Sequence, residues 1–528
     1  MADYKLDSVV AAMGLTEEQK KQIIEQSIRE EREEIVEQAL TFIENIYVHL
    51  PLKCARSAVN PLQRLQLLKY RLVKMNEFNF QQQMISIFTE LRDLHTVYLP
   101  PMPYQSINFV LPFLMEEFYE GNQRFYVVSH VNEDFEHLNF HKGVIITHWN
   151  GIPIERAIEL NSMRTYGSNE HSGRIHSLNS MTVRSGSKYL VPDEEWLYIS
   201  YLTANQEHYE HRFQWQTYNF SETQVIGNSK VSGSLGIDFA SVKLQKIKKG
   251  LFATISKSDN QICDETDFQW SIFSTDYGEF GYVKIPSFMI YDRQKFIQDL
   301  IRVLEDLPRD GLMIDVRGNG GGYIEAGEMM LQLFTANKIQ PELFQFINTP
   351  TTLKIAPEPW KSSIESSLHR GNVYSMGYPI SGHYDYIDEI NQHGKKYFGP
   401  VILITDALCY GATEIFAAGF QDNAIGAIIS INGNTGGGGA NVWQYDDLFH
   451  PLGFSALPRN AQITMAVKRS LRVGNHNGFS LEDCGVIPDY IHQMTRNDVL
   501  NRNVDLIEKA ASILANMKGL HHLPLEIF

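Results

Sequence analysis

The sequence predicts a multidomain α/β protein, α+β overall. It reads as a helical N-terminal unit, a small β-rich module and a C-terminal βαβ core around a buried, mainly parallel sheet. Three observations predict this. From Thr16 to about Glu90, Ile, Val, Leu and Phe recur at spacings of three and four, as on amphipathic helices. From Asn108 to about Gln216 that pattern gives way to runs rich in Val, Ile, Tyr and Phe. Beyond Asp264, short and nearly continuous apolar strands alternate with amphipathic helices, which is how a sheet covered on both faces reads in sequence.

The expected boundaries are 1–90 for the helical unit, 91–217 for the β-rich module, 218–264 for a connecting segment and 265–528 for the core, with an irregular insertion at 348–398. In the first unit Thr16 and Gln19 resemble a capping box, and the run "REEREE" reads as the solvated face of a helix. In the second, "HWNG" between apolar runs is a hairpin cue, and a short helix is expected after Pro153. The connecting segment is polar and poorly periodic, with a few strands. The core reads as strand "FGYVKIPSF", helix "YDRQKFIQDLIRVLEDL", strand "GLMIDV", a glycine-rich turn and helix "YIEAGEMMLQLF". After the insertion come strand "GPVILITD", helix "TEIFAAGFQDN" and strand "AIGAIIS", and "NVDLIEKAASILANM" is a last helix packed on the core.

The bulk composition narrows the function. A formal net charge of −16 over 528 residues disfavours nucleic acid or anionic lipid as a main partner, because neither is attracted to such a balance. Peptides, small molecules and other proteins remain. No run reaches the apolar length of a membrane helix. The opening residues carry no readable secretory signal, so a cytoplasmic location is the default expectation. Cys54, Cys263, Cys409 and Cys484 are scattered without a CxxC pair, which fits unpaired thiols better than a disulfide framework or a zinc knuckle.

Four stretches could carry chemistry. In "GLMIDVRGNGGGYIEAG" an apolar strand runs through Asp315 and Arg317 into glycines that let backbone N–H groups converge on an anionic oxygen at a helix N-terminus. A dinucleotide site ranks below that reading, since Tyr323 occupies the third glycine slot, and no GK[ST] follows for a P-loop. "GPVILITDALCYGATEIF" repeats the strand, sharp corner and helix, and at such a corner a nucleophilic serine is the useful residue. Gly411 stands there instead. Cys409 is a substitute nucleophile on paper, but a cysteine closing an apolar strand is usually a small buried hydrophobe. In "FTELRDLHTVYLPP", His95 follows Asp93 by two residues and is a candidate general base. "NGFSLEDCGVIPD" offers Glu482 and Asp483 as carboxylates able to orient a histidine, or as parts of a solvated turn. No zinc motif occurs, and His208 and His211 read as surface residues.

Taken in order, these stretches resemble the C-terminal processing (tail-specific) serine peptidases, most of all the branch typified by the chlamydial protease-like activity factor. "DVRGNGGG" resembles that family's glycine turn, "GATEIFAAGFQDN" its nucleophile helix, "GNTGGGGANVW" the following glycine loop and "LEDCGVIPD" its late acidic signature. "LRDLHTVY" resembles the start of the catalytic region, and "GVIITHWNGIPI" a degenerate PDZ-like module. The resemblance implies a ClpP/crotonase-like core and peptide-bond hydrolysis without metal or organic cofactor. Its substrates would be extended or unfolded polypeptide held by strand addition, and a homodimer stays open. It implies His95 as general base and Glu482 as the group that orients it, with a water-mediated link allowed. Ala412 with Gly320 or Gly321 would supply the oxyanion N–H groups. The lysine slot of a Ser-Lys dyad falls at Gly438, which favours the Ser-His-Glu variant. The nucleophile slot falls on Gly411, so the chain reads as an inactivated peptidase, with a non-catalytic peptide- or ligand-binding protein as the alternative.

Overall fold

The computed structural model describes residues 17–220, 234–252 and 267–521. Thr16 and its capping box lie outside them, as does Cys263. The chain opens with α1 (Glu17–Asn45), α2 (Leu50–Ser57), α3 (Pro61–Arg71) and α4 (Glu77–Thr89). Asn60 and Asn76 cap the last two, accepting from the N–H groups of Gln63 and Asn79. Along α1 the residues Ile35, Val36, Ala39, Phe42 and Ile43 are fully buried, at the predicted spacing. They join the same hydrophobic cluster as the C-terminal sheet, so this unit shares its core with the region expected to be catalytic. The "REEREE" face is only partly solvated, because Arg32 is buried between Glu77 and the Met75 carbonyl.

Next come β1 (Val97–Leu99), β2 (Ile107–Val110), β3 (Phe113–Glu120), β4 (Gln123–Val131), β5 (Ile145–Trp149) and β6 (Ile152–Pro153). β5 and β6 form the hairpin cued by "HWNG", with Asn150 and Gly151 both at positive φ as a two-residue turn requires. The helix after Pro153 is α5 (Ile154–Asn161), followed by α6 (Glu170–Ser180), β7 (Val183–Ser185), α7 (Gly186–Tyr189), β8 (Trp196–Leu202), β9 (His208–Gln214) and β10 (Gln216–Asn219). The sheet β3-β4-β5-β8-β9 closes over its own core of Phe113, Tyr126, Val128, Trp149, Ile199 and Phe213. β1 belongs elsewhere: it pairs antiparallel with β20 of the C-terminal region, so the stretch around His95 is built into the core.

The segment 218–264 holds more order than its composition suggests, with β11 (Leu235–Ile237) and α8 (Phe239–Leu251) inside it. The core then runs β12 (Gln269–Thr275), β13 (Gly278–Lys284), α9 (Arg293–Asp306), β14 (Leu312–Asp315), β15 (Gly321–Tyr323), α10 (Ile324–Leu331) and β16 (Leu343–Phe346). The insertion contributes α11 (Pro350–Ile355), α12 (Trp360–Leu368) and α13 (Tyr386–Ile390). The chain ends with β17 (Val401–Thr405), α14 (Ala412–Asp422), β18 (Ala427–Ser430), β19 (Ala440–Trp443), α15 (Tyr445–Leu452), β20 (Gln462–Leu471), β21 (Tyr490–Ile491), α16 (Arg496–Leu500) and α17 (Val504–His521).

The main sheet has the order β12-β13-β14-β17-β18-β21, and every pairing from β13 onward is parallel. Its strands read as continuous apolar runs because both faces are covered. Leu312, Ile314, Val401 and Leu403 point into the large cluster with α9, α10 and α14. Their neighbours Met313, Ile402 and Ile404 point to the other face, against Leu506, Ala510 and Leu514 of α17. This layering brings the ends of β14 and β17, with the turns that follow them, to one place.

Candidate functional site

The two strand ends lead into the glycine turn and the corner. After β14, the charged residues of "DVRGNGGG" are spent on holding the turn. Arg317 reaches back to Asp315 with Nε at 3.0 Å and Nη2 at 2.7 Å, and Tyr282 donates to the same carboxylate at 2.6 Å. Burial works against the Asp315 carboxylate, but Arg317 and Lys284 outweigh it and hold its pKa well below the ordinary range. The Gly318 N–H donates to Asp406 Oδ2 at 2.9 Å, and the Gly321 N–H to Asn319 Oδ1 at 2.9 Å. Of the two turn glycines expected to face an oxyanion, Gly321 therefore has its N–H committed within the turn, because Asn319 folds back over it. The Gly320 carbonyl accepts from Asp238 N at 2.8 Å.

After β17 the chain turns sharply at Gly411, the N-cap of α14, with φ 58° and ψ −125°. That conformation is strained for any residue with a Cβ, and it is the kind that aims a side chain outward from a strand-to-helix corner. The Gly411 N–H donates to Gly438 O at 3.1 Å, tying the corner to the glycine loop. Glu414, in the first turn of α14, fastens that loop further, accepting from Gly437 N at 2.7 Å as well as from Gly438 N and Thr435 Oγ1. Burial raises the Glu414 carboxyl to about 7 against those bonds. Tyr410 lays its ring over Gly438, where a Cβ would collide with the phenol, so the slot of a dyad lysine is filled by an aromatic ring. Cys409 is buried, its Sγ 3.2 Å from Val316 O and 3.3 Å from Asp406 Oδ1, and burial pushes its thiol pKa well up. It is a structural cysteine with no access to a substrate.

His95 lies beside the corner, its ring centroid 4.6 Å from that of Tyr410. Its backbone is pinned by Asp93, whose Oδ1 accepts the His95 N–H at 2.8 Å, and by Thr464 Oγ1, which donates to His95 O at 2.9 Å. Among the described residues neither buried ring nitrogen has a hydrogen-bond partner, and burial lowers the pKa to about 4, so the imidazole is neutral at neutral pH. Glu482 makes no direct hydrogen bond to that ring. The buried carboxylate of Glu482 faces α2 instead, with Lys53 Nζ 2.5 Å from Oε1 and His49 Nε2 3.3 Å from Oε2. Lys53 also bonds Asp483 and donates to Arg92 O at 3.1 Å. An ammonium buried among Glu482, Asp483 and Asp93 attracts the carboxylates more strongly than a neutral imidazole does. Burial would pull Lys53 down, but the three acids raise it, while burial raises Glu482 above the ordinary carboxylate range.

Sequence reasoning missed His49 and Lys53, for nothing in "HLPLKCARS" marks a lysine that ends fully buried. It also missed β11. This strand lies antiparallel on β15, with Gly236 opposite Gly322 and Ile237 opposite Gly321. It crosses the mouth of the corner. A Cβ on Gly411 would collide with the carbonyl of Gly236 and stand 2.8 Å from Ile237 N. Only the helix that follows it, α8, carried a signal in "SLGIDFASVKLQKIKKGL": Asp238 is its N-cap, accepting from Ala240 N at 3.0 Å, ahead of a helical apolar pattern. His208 is exposed, and His211 is half-buried against the His137 ring at 4.3 Å.

Comparison with known proteins places this geometry. The model of peptidase family S41 matches residues 279–492, which include both turns, and a PDZ domain model matches residues 107–225. The chain carries an S41 peptidase domain. Around that S41 domain the fold resembles the crystal structure of mature CPAF, with 13% identity, 93% of this chain and 99% of that chain covered and a TM-score of 0.67. Mature CPAF complexed with lactacystin gives 14% identity, 93% and 99% coverage and a TM-score of 0.66. A serine-to-alanine mutant of CPAF gives 14%, 93% and 98%, and 0.69. At such identities the likeness is one of fold, and it extends through the helical N-terminal unit and the PDZ domain as well as the S41 domain. No curated protein sequence matches the chain.

Proposed function

We propose that this chain is a serine-peptidase scaffold that binds extended polypeptide and whose hydrolytic step is disarmed at Gly411. The observation that carries the reading is the corner itself. Gly411 keeps the strained backbone of a nucleophile position at the start of α14, beside a neutral His95, yet it has no attacking atom. In a working version a serine there would pass its proton to His95 and attack a peptide carbonyl. The N–H groups of Ala412 and Gly320 would then face the developing oxyanion. Without the nucleophile the covalent step is lost, and only the slow contribution of binding and oxyanion stabilisation remains.

The experiment compares casein hydrolysis by the chain, by Gly411→Ser and by Gly411→Ser with His95→Ala. Because a Cβ at position 411 meets the Gly236 carbonyl, each serine variant is assayed with and without Leu235→Ser/Ile237→Ser, which loosens β11. Cleavage confined to variants with serine and His95 is the expected result. Silence from folded serine variants in both backgrounds would refute the disarmed-peptidase reading. It would leave the second reading, a protein that captures peptides without cutting them. One observation favours that alternative: Glu482 is held by Lys53 and His49, and among the described residues no carboxylate hydrogen-bonds the His95 ring.

A further inference from the structure

A cavity lies along the seam between the PDZ domain and α8, walled by β2, α6, β7 and α7 on one side and by α8 on the other. It has about 50 Å³ of free volume, room for roughly three to five waters at about 10–15 Å³ each. Two residues on its wall bury polar atoms that have no hydrogen-bond partner among the described residues, Asn108 Oδ1 and His176 Nε2. Asn108 is fully buried, and its Nδ2 donates to the carbonyls of Ser106, Tyr218 and Phe220 at 3.2, 3.1 and 3.2 Å. Those three bonds fix the amide and leave Oδ1 as an acceptor in want of a donor. The His176 side chain is 10% exposed, and Asp238 Oδ2, 3.9 Å from Nε2, favours the tautomer that carries its proton there. Burial, aided by Lys188 and Lys248, lowers the His176 pKa to about 4, so the ring is neutral at neutral pH.

The rest of the wall is cationic and apolar. Lys243 is buried in it, donating to Gln105 O and Ser185 Oγ at 2.9 Å each. Lys188 sits with Nζ 4.9 Å from the centroid of the Tyr166 ring, and Lys248 reaches Asn179 Oδ1 at 2.7 Å. Among the described residues neither Lys188 nor Lys248 pairs with a carboxylate, in a chain whose net charge is −16. Val183, Leu244 and Ile247 close the remainder with carbon. A hydroxyl group both donates and accepts, which suits Asn108 Oδ1 and His176 Nε2, and an ammonium without a counter-charge calls for an anion.

From this arrangement we propose that the seam between the PDZ domain and α8 is a binding site for a short hydroxy carboxylate, with its hydroxyl at Asn108 and His176 and its carboxylate at Lys188. None of the lining residues belongs to the corner or the glycine turn, so the site stands apart from the peptidase reading.

The test is titration calorimetry of the full chain with four probes of equal size: glycolate, propionate, glycolamide and inorganic phosphate. Propionate lacks the hydroxyl, glycolamide lacks the charge, and phosphate asks whether any small anion will serve. Glycolate is expected to bind saturably, no tighter than the micromolar range that so few atoms allow, and at least about 10-fold more tightly than each of the others. No saturable glycolate binding up to about 50 mM overturns the proposal and leaves the cavity to water. Binding of any other probe as tightly as glycolate overturns the hydroxy-carboxylate assignment. The location is read on the unaltered chain by acetylating its lysines and following each by mass spectrometry. At ten times its Kd, glycolate should slow acetylation of Lys188 by about 10-fold and leave Lys338, whose side chain is 78% exposed, unchanged. Equal rates at Lys188 with and without glycolate would overturn the location. Lys188→Gln, with folding checked by circular dichroism, should weaken glycolate at least about 10-fold, and an unchanged affinity in the folded variant would remove Lys188 from the site.

Discussion

Replacing Lys53 by methionine should be among the most damaging single changes outside the sheet. The ammonium is fully buried, lies 2.5 Å from Glu482 and also contacts Asp483 and the Arg92 carbonyl. Methionine fills the volume but leaves buried carboxyl groups without their cation, a loss of about 3–5 kcal/mol for a broken buried pair. Unfolding entropy is about 2.1 cal/mol/K per residue, so for a cooperative unit of roughly 250 residues that loss lowers Tm by about 6–10 °C. The pH dependence follows from the shifts. Lys53 pulls down the pKa of Glu482 against its burial and is the main group lowering Asp93 against its own. Without it both folded-state values rise. A carboxyl whose folded pKa is raised contributes stability below its unfolded value, near pH 4, and loses it as pH climbs through the folded value. The deficit of Lys53→Met relative to the parent should therefore be small near pH 4 and largest near pH 8. Thermal melts by calorimetry at both pH values measure it, and adding Glu482→Gln should recover part of the loss. A Tm change under about 2 °C at pH 8, or an equal deficit at both pH values, would refute the reasoning.

Two further substitutions probe the turn and the corner. Asp315→Asn removes a buried carboxylate bound by Arg317 and Tyr282, and should cost about 3–5 kcal/mol in urea unfolding at pH 7. Because the folded pKa is depressed, that stabilisation exists above the unfolded value near pH 4 and fades as pH falls below it, so a cost independent of pH would count against the ion pair. Tyr410→Phe removes the hydroxyl that accepts the buried Leu94 N–H at 3.1 Å and bonds Ser168 at 2.8 Å. A loss of about 1–3 kcal/mol and faster exchange of the Leu94 amide are expected, and an unchanged Tm would contradict the assignment.

Much of the architecture was legible in the sequence because it is written in local periodicity. The buried strands "LMID" and "VILIT" are apolar throughout, since helices cover both faces of their sheet, and α1 repeats its apolar residues at helical spacing. The "HWNG" hairpin and the helix after Pro153 are local turn chemistry and were equally readable. The connecting segment was harder. Its strand β11 is three residues long and contains a glycine, so neither length nor propensity announces it, and it gains its order from pairing with a distant partner. β1 was misplaced for the same reason, because its neighbour in the sheet is β20, more than 350 residues away in sequence.

The sequence by itself determined the succession of strands and helices, the two glycine-bearing turns and a residue without a side chain at position 411, because each is a property of residues adjacent in the chain. Only the tertiary structure decided which charges meet. It turned Glu482 toward Lys53, set Tyr410 beside His95 and laid Gly236 across the corner. Side-chain pairing in a low-dielectric interior depends on distances of a few ångströms between segments hundreds of residues apart. Local sequence patterns carry no record of such distances until the chain has packed.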